Sequence, residues 1–145
     1  MPKLIPSRTA QWPLVAEFTF KFDDTVAATD GRVLDFGKTN VAATSFVAIP
    51  LPPGATVLSG EVVTDVAFDA ATFNVSVGDT TSAARYLAAT DRKAVGRTAL
   101  VPTGYKGIGE NVVVGFQAAD VCTTGQLTVR IMYTVANRMS DVQIA

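Results

Sequence analysis

The chain has 145 residues, no histidine, one cysteine, and 12 basic against 13 acidic residues for a formal charge of −1. A single domain of this length buries roughly 68–70% of its unfolded surface, so its core needs no disulfide or metal. A lone cysteine excludes an internal disulfide, the missing histidine removes the commonest acid–base group and metal ligand, and scattered Lys and Arg give no electrostatic footprint for nucleic acid.

Charged residues make up 17% of the chain, against about 25% in an ordinary soluble domain. Two readings fit. One is a compact β domain with Thr and Ser on its outer faces; the other is a chain covered by neighbours in its working state. Cys122 reads as a small hydrophobe of the core. Met1-Pro2-Lys3-Leu4-Ile5-Pro6 lacks the apolar stretch of a secretory signal, and no run of about 18 apolar residues is present. A cytosolic product with no membrane partner is expected.

Residues 1–13 read as an extended arm. Pro2, Pro6 and Pro13 oppose helix, while Leu4, Ile5 and Trp12 are too apolar for a disordered leader. Such an arm packs along its own body or reaches a neighbour. A sandwich body is expected over 14–136, followed by a polar C-terminal tail over 137–145.

The body opens on the clearest pattern in the chain. Leu14, Ala16, Phe18, Phe20 and Phe22 alternate with Glu17, Thr19 and Lys21, which is the period of a strand with one dry and one wet face. Asp23-Asp24 closes it. Short strands are expected at Arg32–Phe36 and Val41–Ile49, and Pro50-Leu51-Pro52-Pro53-Gly54 marks a corner between sheets. Ala55–Phe68 reads as a long strand with a bulge at Gly60, and Phe73–Val77 as another.

Ser82–Thr90 has Ala83, Ala84, Leu87 and Ala88 at helical spacing behind a polar start. It is the one candidate helical turn, with a loop crossing the sandwich as the alternative. Thr98–Val101 and Val112–Ala118 are strands on either side of a glycine-rich loop. The last long strand runs through Leu127, Val129, Ile131, Tyr133 and Val135 against Thr128, Arg130 and Thr134. About eight strands with turn signals every dozen residues give an all-β sandwich of the jelly-roll kind.

Chemistry-bearing motifs are weak. Gly104-Tyr105-Lys106-Gly107-Ile108-Gly109 has its glycines in the wrong order for a dinucleotide site, and a strand rather than a helix follows. It reads as a flexible loop offering Tyr105 and Lys106 for contacts. Asp23-Asp24 and the pair Asp65 and Asp69 are the only close carboxylates, and turn capping is their default role. No calcium-loop order is present; with no histidine the usual base for a serine is missing, and the Ser–Lys alternative has no S-x-x-K motif. No enzyme activity, metal or cofactor is expected.

Seven phenylalanines (Phe18, Phe20, Phe22, Phe46, Phe68, Phe73, Phe116) fall in strand patterns and belong to the core. Trp12, Tyr86 and Tyr105 lie outside those patterns. Exposed aromatics favour protein interfaces or sugar stacking, so a carbohydrate-binding module is the alternative function. A planar platform of these three rings would be its signature.

From Pro53-Gly54-Ala55 onward, Asp79–Asp91, Gly96–Leu100, Val129–Val135 and Asn137-Arg138 resemble segments of small structural proteins from the head genes of tailed bacteriophages. The likeness is to capsid cement (decoration) proteins, such as that of a Bordetella phage. It implies a jelly roll, made in the host bacterial cytoplasm, that coats the outside of an expanded capsid. Its implied partners are the major capsid protein and itself, as a homodimer or another symmetric oligomer. It carries over no catalytic or metal residues. Candidate partner-binding residues are Leu4, Ile5 and Trp12 in the arm, Tyr105 and Lys106 in the loop, and Arg138 and Met139 in the tail.

Overall fold

In the computed structural model, residues 7–138 and 141–144 are described. Leu4, Ile5 and Met139 lie outside these residues. The architecture is all-β, and the described residues contain no helix. Two four-stranded antiparallel sheets make the body. The first is ordered β2 (Leu14–Lys21), β11 (Gln126–Val135), β6 (Ala55–Val66) and β9 (Gly96–Ala99). The second is ordered β5 (Asn40–Ile49), β10 (Val112–Ala119), β7 (Thr72–Asp79) and β8 (Leu87–Asp91). The body has eight strands, about the number expected, but the segment Leu87–Asp91 joins it as a strand while the expected strand at Arg32–Phe36 lies in a side ribbon; strands distant in sequence pair side by side.

The core between the sheets is built on phenyl rings. Phe20 of β2 stacks on Phe36 at 4.2 Å between centroids and meets Phe46 of β5 edge-on at 5.8 Å. Phe68 and Phe73 stack at 3.8 Å, and Phe116 closes on Phe36 and Phe73 at 5.3 and 4.8 Å. Phe18 and Phe22 are half-buried against this cluster. Leu127, Val129 and Ile131 of β11 face Val75, Val77 and Val114 of the other sheet in the same core. Rings in offset and edge contacts add to the area they bury. Cys122 is buried among them, as a small hydrophobe should be.

Two small ribbons flank the sandwich. β3 (Thr25–Ala27) pairs with β4 (Val33–Asp35), and β1 (Ser7–Ala10) pairs antiparallel with β12 (Asp141–Ile144), Ser7 opposite Ile144 and Ala10 opposite Asp141. The backbone thus runs residues from near both ends of the sequence side by side.

The candidate helical turn at Ser82–Thr90 is not one. Ser82–Arg85 form a turn closed by Asp79, and Leu87–Asp91 is strand β8. The helical spacing of small residues there loses to pairing with β7: Tyr86 donates its N–H to the Val77 carbonyl at 2.9 Å, and Leu87 sits opposite Val77. The bulge expected at Gly60 is also displaced. Gly60 stands directly opposite Ile131, and the register slips at Leu58, between the Met132–Ser59 and Tyr133–Val57 pairs. Gly60 is glycine for space, since a Cβ there would fall 2.6 Å from both the Arg130 carbonyl oxygen and a Leu100 methyl.

Candidate interaction surface

Two surfaces outside the core carry organised chemistry. The first is the glycine-rich loop. It is pinned rather than loose: Gly107 N–H donates to the Ala55 carbonyl at 2.8 Å, Gly54 N–H to the Gly107 carbonyl at 2.7 Å, and Lys106 bridges Thr56. Within the loop, Tyr105 donates its hydroxyl proton to Glu110, whose other carboxylate oxygen takes the Ile108 N–H at 2.6 Å.

Arg85 lies over the Tyr105 ring, 3.8 Å from its centroid, a cation–π contact. The same guanidinium pairs with Asp79. Asp79 is buried at the end of β7 and also accepts from Thr81 N–H at 3.0 Å, Thr81 Oγ at 2.8 Å and Ser82 N–H at 2.8 Å. Burial alone would raise its carboxyl. The hydrogen bonds from Arg85, Thr81 and Ser82 outweigh that and hold it below the usual carboxylate range. Tyr105 is therefore a strut between two loops, and Lys106 beside it is exposed.

The second surface is the wet face of the first sheet. Glu17 on β2, Arg130 on β11 and Glu61 on β6 stand directly opposite one another in register. Arg97 on β9, opposite Val63 and two register pairs along, reaches back diagonally to Glu61. Arg130 Nε meets Glu17 at 2.9 Å, and its other arm pairs with Glu61. Arg97 and Arg130 together hold the Glu61 carboxyl below its ordinary range. A groove of about 240 Å³ follows this row, lined in part by Val15, Ser59 and Met132. At that end lies an apolar patch: Val15 opposite Met132, with exposed Leu58 beside them on the bulge.

Of the sequence-predicted contact residues, Trp12 is 83% exposed and Arg138 is exposed. The three rings of the sugar platform do not assemble. Tyr86 is buried, and Tyr105 has Arg85 over one face. Of the close carboxylates, Asp24 caps its own turn, accepting the Lys21 N–H at 2.8 Å, whereas Asp69 takes the Thr123 N–H at 2.7 Å from a loop 54 residues away and Asp65 on β6 accepts from the Thr128 hydroxyl at 3.1 Å. Among the described residues, no three acidic, Cys or His side chains gather as a metal site. The charged row was missed from the sequence. Its one signal was that Glu17 and Arg130 sit on the wet faces of the two clearest strands.

No protein-family model and no curated protein matches the chain. Solved structures do. A chain of the acidic stable capsid of Helicobacter pylori bacteriophage KHP30 superposes with a TM-score of 0.63 at 19% identity, over 98% of each chain. A chain of the Ralstonia phage GP4 capsid gives 0.55 at 13% identity, over 94% of this chain and 92% of that one. A chain of the cyanophage Pam1 capsid asymmetric unit gives 0.54 at 22% identity, over 85% and 84%. The chain shares a fold with components of three phage capsids, along nearly its whole length.

Proposed function

We propose that this chain is a capsid cement protein. It binds the outer surface of an expanded phage head and holds neighbouring major capsid subunits together by non-covalent contacts. The observation that carries this reading is the end-to-end match, 98% of both chains, to a component of a solved phage capsid. The physical character of the molecule supports it: a rigid phenyl-packed sandwich, little net charge, and chemistry arranged as struts and surfaces.

In this reading the β1–β12 ribbon, exposed Trp12, and the braced loop bearing Lys106 touch the shell. Arg138, next to the ribbon, adds a charge to the same contact. Each contact is weak alone, and repetition around a closed shell multiplies the effect without any single deep site. The exposed Trp12 indole is assigned to protein contact, because Tyr86 and Tyr105 do not join it in a platform for sugar.

The test is mechanical. Expanded heads lacking this protein are warmed, and the temperature of DNA release is followed with and without the purified chain. Release at a higher temperature on add-back is expected. An unchanged release temperature at saturating protein would overturn the cement role.

A further inference from the structure

We infer that the free edge of β2 is a docking site for an extended segment of another protein, which joins the sheet as an antiparallel strand. This goes beyond the cement reading and does not rest on it, since it follows from the backbone of the edge alone.

The direction of the backbone groups comes first. Along an antiparallel ladder, residue pairs that exchange both N–H···O=C bonds alternate with pairs that exchange none. The Phe22 N–H donates to the Gly125 carbonyl at 3.1 Å, and from there β2 runs in unbroken register, Lys21 opposite Gln126 and Phe20 opposite Leu127. The N–H and C=O groups of Phe20, Phe18, Ala16 and Leu14 therefore point to β11. Those of Lys21, Thr19, Glu17 and Val15 point away from the sheet. Lys21 fits this phase: its N–H meets the Asp24 carboxylate at 2.8 Å, and its carbonyl accepts the Asp24 N–H at 3.1 Å. Among the described residues, the outward backbone groups of Val15, Glu17 and Thr19 have no partner, and all three residues are exposed.

Such an edge is a template for another strand, and natural sheets blunt it. The other three edges of the two main sheets are blunted. β9 has four residues, β8 carries a register shift against β7, and β5 has its Ser45 carbonyl taken by the Thr29 N–H at 2.8 Å. β2 has eight residues and no register shift against β11. Its inner side is unfinished as well. Phe18 is only half-buried, although Val129 directly opposite on β11 is fully buried. An added strand sets its own inward side chains beside Ala16 and Phe18.

The side chains specify the occupant. A strand that engages all three open residues places its central residue opposite Glu17, on the same face. Glu17 Oε2 accepts from Arg130 at 2.9 Å, and among the described residues its other oxygen accepts nothing. A Lys or Arg on the added strand completes it. A second copy of this chain does the opposite: its β2, in the two-fold register that uses these three residues, sets Glu17 against Glu17, and like charges directly opposite destabilise a pair. The occupant is thus a foreign segment, basic at its central outward position and apolar at the inward positions on either side. A segment of that kind already lies along the other edge of β2, where Arg130 stands opposite Glu17 between Val129 and Ile131. In strand addition of this kind main-chain bonds give affinity, and alternate side chains give specificity.

A capped peptide copying Leu127–Tyr133 is the probe, titrated into the isotope-labelled full chain and followed by NMR. In the free chain, amides of Val15, Glu17 and Thr19 should exchange with solvent at least about tenfold faster than those of Ala16, Phe18 and Phe20. The peptide should shift the β2 amides, saturate at or below about 1 mM, and slow exchange of those same three amides. Methylating the peptide nitrogen that copies Arg130 should weaken binding at least about tenfold, because that N–H faces Glu17. Methylating the nitrogen that copies Val129, which faces away, should change binding less than about twofold. The peptide variant Arg130→Glu should not bind. The protein itself is unaltered throughout, so no folding defect enters the comparison. No saturation by about 1 mM, shifts centred outside β2, equal losses from the two methylations, or undiminished binding of the Arg130→Glu peptide would each overturn the inference. Head attachment is measured separately, so this inference and the cement reading fail independently.

Discussion

The Gln11 side chain and the Val135 backbone hydrogen-bond in both directions. Gln11 Nε2 donates to the Val135 carbonyl at 2.8 Å, and the Val135 N–H donates to Gln11 Oε1 at 3.0 Å. A primary amide sets an N–H donor beside a C=O acceptor at the spacing of a peptide unit, so Gln11 acts as one more rung of a ladder. It clasps the start of β2 to the end of β11, where the β1–β12 ribbon leaves the sandwich. The two positions are 124 residues apart.

Gln11→Ala removes both bonds, at about 1–2 kcal/mol in total. Hydrogen exchange should show backbone amides of Ser7–Ala10 exchanging at least about tenfold faster, with amides of β6 and β10 unchanged. Gln11→Glu should do nearly as much harm, because a carboxylate cannot donate to the Val135 carbonyl.

Asp79 ties stability to pH. Its folded carboxyl lies below its ordinary value, so the unfolded chain takes up this proton first, near pH 4. The contribution is complete above that pH and is lost as the pH falls toward the folded value. Asp79→Asn should destabilise the protein by about 2 kcal/mol at pH 7, since Arg85 loses its charged partner in a mostly buried place. In urea titrations the gap between wild type and variant should narrow steadily below pH 4. A gap that widens there would contradict this role.

Gly125 is fixed by shape and by backbone. Its φ is +143°, and a Cβ would lie 2.0 Å from the Phe68 ring, which is held against Phe73. Gly125→Ala combines a strained backbone with an overpacked core and should cost roughly 3 kcal/mol or more. The denaturant midpoint should drop with an unchanged slope, the sign of lost stability with two-state unfolding retained.

Cys122 should be chemically silent in the folded protein. Burial pushes its thiol up, the Asp69 charge adds to this, and reaction needs an exposed thiolate. Labelling by a thiol reagent at pH 8 should be at least about a thousandfold slower than in denaturant. Fast labelling of the native chain would place Cys122 at the surface.

Much of the body was legible because its signals are local. Leu14 to Phe22 and Leu127 to Val135 alternate so regularly that their faces follow from the period alone, and they pair with each other as neighbours in one sheet. Phe36 was read only as part of a short strand, yet it is fully buried and stacked on Phe20. What failed was decided at a distance. Ala83, Ala84, Leu87 and Ala88 keep helical spacing, but Val77 takes Leu87 into a ladder. The glycine-rich loop was read as flexible, while Arg85 and Glu110 hold Tyr105 in place within it. The Glu17-Arg130-Glu61-Arg97 row needs the register of four strands, three of them brought together from far along the sequence. No single segment contains it.

The central claim is tested most directly by co-sedimentation of the purified chain with expanded and with unexpanded heads that lack it. Saturable binding to expanded heads, with none to unexpanded ones, is the result expected of a cement protein that recognises the matured lattice. Absence of binding to either form would contradict the account.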